Sequence, residues 1–250
     1  MNRFISVLVT RVGFVVVGAF VGSLCTSCAR SSASVEGKIG DRDVFIGGTV
    51  FGWLDETRYE VDDGALALRD RGTDETVLYV TMTGAQFDPA VDFRTLPIER
   101  RAQISDDVSS GYDSLSMTIH RGNRLEEGDT LTYDSEDFDI PDNDAYLSSI
   151  SLRLGRQALT SASTYPDEVD VIASERVVDL DVEAKTDERL TGTMTFEIVK
   201  ANGDNRDNVI EATLQIRFDV ELLPERLAEC NFSNQGAGVV DPCADLDFAE

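Results

Sequence analysis

The densest run of carboxylates in this chain is DSEDFDIPDND, residues 134–144. Calcium takes six to eight oxygens at about 2.3–2.6 Å, and closely spaced Asp and Asn side chains on a loop can supply them. The spacing is not that of an EF-hand, because no Gly stands at the turn position and no Glu closes the loop. A solvated acidic loop is the simpler expectation. If the run holds calcium, its ligands are Asp137, Asp139, Asp142 and Asp144, with Asp204 and Asp207 as a weaker second set. No other cofactor is expected.

Nucleophilic catalysis has little to work with. A Ser or Cys nucleophile needs an imidazole to take its proton, and the chain has 1 histidine. That residue, His120, ends the alternating run Leu115 to Ile119 with the parity of its polar side, so it is expected at the surface. The same count excludes a histidine-rich zinc site, and there is no phosphate loop or dinucleotide fingerprint. Two carboxylates facing one another across a cleft could hydrolyse a glycosidic bond, yet among 47 acids the sequence nominates no pair. Phe51, Trp53 and Tyr59 are the candidates for a sugar-stacking platform. Phe51 and Trp53 share one parity, so they read first as core. No catalytic residue is assigned.

The first 28 residues, MNRFISVLVTRVGFVVVGAFVGSLCTSC, place Arg3 and Arg11 ahead of an apolar and small-residue run from Val12 to Leu24. This is the pattern of a secretory leader. Its 13 residues fall short of the roughly 20 that a helix needs to span a bilayer. The end of this leader resembles the lipobox of bacterial lipoproteins, with Thr26 and Ser27 at the small positions before Cys28. Cys25 stands where that family usually has Leu, and Leu24 lies one step further back. The resemblance implies a signal peptide over 1–27, a diacylglycerol on Cys28 and a lipidated N-terminus and short tether over 28–34; the length that remains, 35–250, suits one β domain. Two or more acyl chains make anchoring stable. A six-residue tether reaches only about 20 Å, so the body is expected close to the bilayer. Ala29, rather than Asp, after the cysteine implies the outer membrane.

Export would put Cys230 and Cys243 in an oxidising compartment. The turn-rich stretch between them, NFSNQGAGVVDP, suits a disulfide that ties down the tail, worth roughly 3 kcal/mol in the chain-entropy model. The net charge of −25 excludes nucleic acid and leaves the lipid, not basic residues, to hold the membrane. Most of these acids are expected to be solvated surface.

The elements that must carry these groups are strands. Ile210 to Leu222 alternates apolar and polar without error, and Met194, Phe196 and Ile198 alternate before the turn-forming stretch 202–208, so the pair reads as a hairpin. The same period of two recurs at 178–185, 150–154 and 115–119, and further strands are expected over 35–39, 43–54, 59–68 and 75–83. No 3.6-residue period persists, apart from a short one over 224–230. Residues 86–112 read as a long loop, and 160–170 as a second. The expected fold is all-β: an antiparallel, jelly-roll-like β-sandwich or a closed barrel of about nine to ten strands. The segments 188–198 and 125–131 resemble strand starts of mostly-β envelope lipoproteins, in which Gly-Thr opens a strand; this implies a fold class and no activity.

The expected function is a membrane-anchored lipoprotein with a non-enzymatic binding or structural role at the cell envelope, its partner an envelope protein or glycan. The alternatives are a lipocalin-like barrel for a small ligand, which a filled core would remove, and a carboxylate-based glycan hydrolase.

Overall fold

The computed structural model describes residues 31–40, 42–62, 65–106, 111–134, 140–155, 157–158, 172–202 and 209–232. Cys28, Asp137, Asp139, Asp204, Asp207, Cys243 and the loop 160–170 therefore lie outside the described residues, and so does the side chain of Tyr59. In chain order the elements are β1 (Ser32–Glu36), β2 (Lys38–Ile39), β3 (Arg42–Asp43), β4 (Thr49–Asp55), β5 (Thr57–Asp62), β6 (Ala65–Asp70), β7 (Val77–Thr83) and α1 (Ile98–Asp106). They continue with β8 (Ser114–His120), β9 (Thr130–Asp134), β10 (Tyr146–Leu154), β11 (Gln157–Ala158), β12 (Ile172–Lys185), β13 (Arg189–Asn202), β14 (Val209–Glu221) and α2 (Glu225–Phe232).

Two five-stranded antiparallel sheets form, in the orders β1-β14-β13-β12-β9 and β11-β10-β8-β7-β4, with β2-β3 and β5-β6 as separate two-stranded ribbons. Neither sheet closes on itself, so the fold is an open antiparallel sandwich and not a barrel. Alternation along each strand builds the core. In β14, Leu214, Ile216, Phe218 and Val220 are buried while Thr213, Gln215 and Arg217 are exposed. Phe196 and Leu180 join them from the first sheet, and Leu78, Met82, Leu115, Met117, Leu147 and Leu152 from the second, in one contiguous cluster. These side chains take the space that a lipocalin-like chamber would need.

Where the segments differ from the sequence reading, local backbone chemistry decides. The stretch 59–68 is not one strand but the hairpin β5-β6, with Asp62 opposite Ala65 across the Asp-Gly at 63–64, a pair of strong turn formers. The stretch 43–54 is split before β4 at Gly47 and Gly48. An ideal Cβ on Gly48 would stand 2.3 Å from the Gly84 carbonyl oxygen, which leaves no room for a side chain as the backbones approach. The expected loop 86–112 contains α1, whose first turn closes on the Pro97 carbonyl. Its amphipathic signal is weak because only Ile104 is buried while Ile98 is 68% exposed. Gly192 does not open a strand. It lies inside β13 opposite Phe218, where an ideal Cβ would meet the Asp181 carbonyl oxygen at 2.5 Å and the Phe218 ring at 2.9 Å.

The two long seams of the sandwich differ. On one, β14 crosses to the second sheet: Leu222 bridges Gly52 in parallel, and the Leu223 N–H donates to the Gly52 carbonyl at 2.7 Å. On the other, β9 ends the first sheet and β10 nears the edge of the second, where β11 pairs only with Arg153 and Leu154. One end of the sandwich is tied by Asp113. This buried carboxylate accepts from Arg42 Nη2 at 2.6 Å, the Phe45 N–H at 3.0 Å and the Gly155 N–H at 2.9 Å.

Candidate functional site

Register across the second sheet sets the outer face in rows: Phe51, Thr81, Ser116 and Ser151; Trp53, Tyr79, Thr118 and Ser149; Asp55, Val77, His120 and Tyr146. The β4 side of this face is aromatic and covered, and the β8–β10 side is polar and open. α2 provides the cover. Its residues Glu225, Ala228, Glu229 and Phe232 recur at helical spacing on one stripe. Ala228 is fully buried with Phe51, Trp53 and Leu223, and the Phe232 ring lies 4.3 Å from that of Phe51. Asn231 secures the far end, accepting from the Phe93 N–H at 3.1 Å and donating to the Val91 carbonyl at 2.9 Å. Phe51 and Trp53 are therefore core, not an open stacking platform.

At the near end of α2, Asp55, Glu225 and Glu229 bring carboxylate oxygens within 4.8 Å of one another. Glu225 Oε1 accepts from the Glu56 N–H at 3.0 Å and from the N–H and hydroxyl of Thr57, each at 2.7 Å. Arg71 Nε donates to Asp55 Oδ1 and to the Thr57 carbonyl, both at 2.9 Å. Glu225 Oε1 and Asp55 Oδ1 are thereby engaged, whereas among the described residues the buried Glu229 Oε2 accepts no hydrogen bond, and the group works as a latch between α2 and the start of β5. α2 covers Phe51 and Trp53 beside this group.

Burial pushes the Asp55 carboxyl up from its ordinary value, Arg71 opposes the shift, and Glu225 adds to it. Burial and the Glu225 charge raise Glu229 in the same direction. The Tyr79 phenol is raised by burial and then by Asp55, and His120 is lowered by burial and then by Arg121 and Arg71. An acid with a raised folded pKa stabilises the fold fully below its unfolded value, and that contribution is lost as pH rises through the folded value. The latch is accordingly tighter in mild acid. Glu229→Gln is expected to raise the melting midpoint at pH 8 and leave it unchanged at pH 4; equal midpoints at both would show that Glu229 bears no such load.

The open seam holds the second feature, a polar groove of about 870 Å³. Thr130, Leu131 and Thr132 of β9 form one wall, and Asn143, Asp144, Ala145 and Tyr146 form the other. Arg121 and Arg124 build the second wall. Arg121 has φ 53 and is the one non-glycine with positive φ among the described residues, a conformation that costs about 1–2 kcal/mol. It is held there by its N–H to the Thr76 carbonyl at 2.7 Å, by Nη1 to the Pro141 carbonyl at 2.6 Å and the Asp144 carbonyl at 3.2 Å, and by a guanidinium 5.5 Å over the Tyr146 ring. Arg124 donates to the Asn143 carbonyl and pairs with Asp74. His120 stacks on Tyr146 with ring centroids 5.2 Å apart.

This geometry bears on the acidic loop. Asp142 and Asp144 are both exposed, and the Pro141, Asn143 and Asp144 carbonyls accept from guanidinium groups. Among the described residues, neither Asp142 nor Asp144 joins two further acids at ligand distance; that grouping occurs at Asp55, Glu225 and Glu229 instead. His120 takes the expected outward face, half-buried against Tyr146. Cys230 is half-buried in α2, one residue after Glu229, while Cys243 lies outside the described residues. The sequence reading missed Arg121, Arg124 and Tyr146. The one local signal was the turn-forming Gly-Asn directly after Arg121.

No helix among the described residues is long and apolar enough to cross a membrane. No family model matches this chain, and comparison with curated proteins and with solved structures finds none similar to it.

Proposed function

We propose that this chain is a non-enzymatic binding module of the cell envelope, lipid-anchored through Cys28, that holds a polar partner in the groove between β9 and residues 141–146. The observation that carries this reading is the groove itself: amides, hydroxyls and carboxylates line it, and Arg121, with its positive φ, is bonded to the backbone of one wall. Strain kept in one residue beside a cavity is a mark of a working site. The partner is an envelope protein or glycan, since an anchored body on a short tether meets what lies within a few nanometres of the bilayer. A Cys230–Cys243 disulfide would fasten the tail to the helix that carries the latch.

Two measurements test the reading. Cys28→Ser is expected to move the protein from the membrane to the soluble fraction and abolish fatty-acid labelling; unchanged partitioning would contradict the anchor. The pair Tyr146→Ala and Asn143→Ala, with folding verified by thermal melting, is expected to reduce co-sedimentation with delipidated envelope fragments at least fivefold. Undiminished binding would remove the groove from the account.

A further inference from the structure

The two walls of the groove are unlike. The 141–146 wall presents side chains and a loop already bonded to Arg121 and Arg124, whereas β9 is the last strand of its sheet among the described residues. Val182 donates to the Asp129 carbonyl at 2.9 Å and accepts from the Gly128 N–H at 2.8 Å. Antiparallel alternation then places the β12-bonded positions of β9 at Leu131 and Tyr133, in register with Leu180 and Val178. The N–H and C=O groups of Thr130 and Thr132 point the other way, into the groove. No backbone partner for them is present among the described residues.

We propose that the groove accepts an extended basic peptide segment, which adds to β9 as a sixth strand of the first sheet. The inference rests on the groove being the binding site and specifies what occupies it. Main-chain bonding to Thr130 and Thr132 supplies attachment, and alternate side chains supply selectivity. On the outer face the added strand lies beside Thr130 and Thr132, whose hydroxyls donate to Asp181 and Asp179 at 2.7 Å each, so an acidic ladder stands one strand further on, within reach of long Lys or Arg side chains. Glu126, Asp129 and Asp144 add negative charge along the groove, where Arg124 is already paired with Asp74. On the inner face the neighbour is buried Leu131. The matching segment alternates Lys or Arg with β-branched apolar residues. An edge strand is a hazard that proteins normally block; here β9 carries no Lys or Pro, and among the described residues no strand covers Thr130 and Thr132 on the groove side.

The test is calorimetric titration of the full chain in detergent with acetyl-KVKVKVK-amide. Binding is expected, at least tenfold weaker for the same peptide with every backbone amide N-methylated and at least tenfold weaker for acetyl-EVEVEVE-amide. Thr132→Pro removes an N–H that faces the groove and not β12, so the fold can tolerate it, and it is expected to weaken the lysine peptide at least tenfold. Equal binding of the N-methylated peptide would overturn strand addition, leaving charge attraction alone. This comparison uses the unaltered protein, so a folding failure of Thr132→Pro does not blunt it. No binding of the lysine peptide, with envelope binding still reduced at least fivefold by the Tyr146 and Asn143 substitutions, would overturn the peptide and leave the groove as the site.

Discussion

Asp113→Ala is expected to destabilise the fold by about 3 kcal/mol, lowering the melting midpoint by roughly 6–12 °C at the 2–4 °C per kcal/mol typical of a domain this size. The carboxylate joins three separate segments through Arg42, the Phe45 N–H and the Gly155 N–H, and it is 8% exposed. Hydrogen bonds to a charged group are worth about 1.5–3 kcal/mol each. Because the Arg42 side chain is 46% exposed, water can take over part of its share, and the total is discounted accordingly. Asp113→Asn keeps an acceptor oxygen and is expected to lose less. A loss below about 1 kcal/mol for the alanine variant, by equilibrium denaturation, would show that the three segments hold their places without it.

Gly52→Val is expected to cost about 3 kcal/mol, at the upper end of overpacking penalties. An ideal Cβ at this position stands 2.7 Å from the Tyr79 carbonyl oxygen, 3.1 Å from Leu222 and 3.3 Å from Val220. The Tyr79 contact is to backbone in the adjacent strand and cannot yield without breaking the β4–β7 register, while the other two contacts form the stitched seam. The substitution therefore pushes apart the seam that the account takes as permanently closed. Loss of stability together with faster hydrogen exchange at Leu223, whose N–H donates to Gly52, is the expected pair of results. Destabilisation with the Leu223 amide still protected would place the strain elsewhere.

The sequence carried the strands well and the groove poorly, for a common physical reason. A buried sheet face prints a period of two in neighbouring residues, so β14 is visible from Leu214, Ile216, Phe218 and Val220 alone. The β5-β6 hairpin was missed because apolar residues continue on both sides of the Asp-Gly at 63–64, and the turn former was outweighed by the run. α2 showed as a short periodic stretch, yet its role depends on Asp55 and Thr57, far away in the chain, with 168 positions separating Glu225 from Thr57. The groove is more distant still from any local pattern. Its walls come from β9 and from 141–146, and the residues that hold them, Arg121 and Arg124, precede both. The parity of His120 was legible, but its stacking partner Tyr146 is fixed by the β8–β10 register. The proposed groove takes Pro141, Asn143 and Asp144 from the acid-rich run, but what positions them, the guanidinium groups of Arg121 and Arg124, lies outside it.

Hydrogen exchange decides whether the β9–loop groove is the working surface. Exchange would be measured on the full chain in its native envelope membranes and, for comparison, purified in detergent. Slower exchange in the envelope is expected for peptides covering Thr130, Thr132 and residues 141–146, with α2 unchanged. Equal exchange of those segments in both settings, with new protection confined to another face, would contradict it.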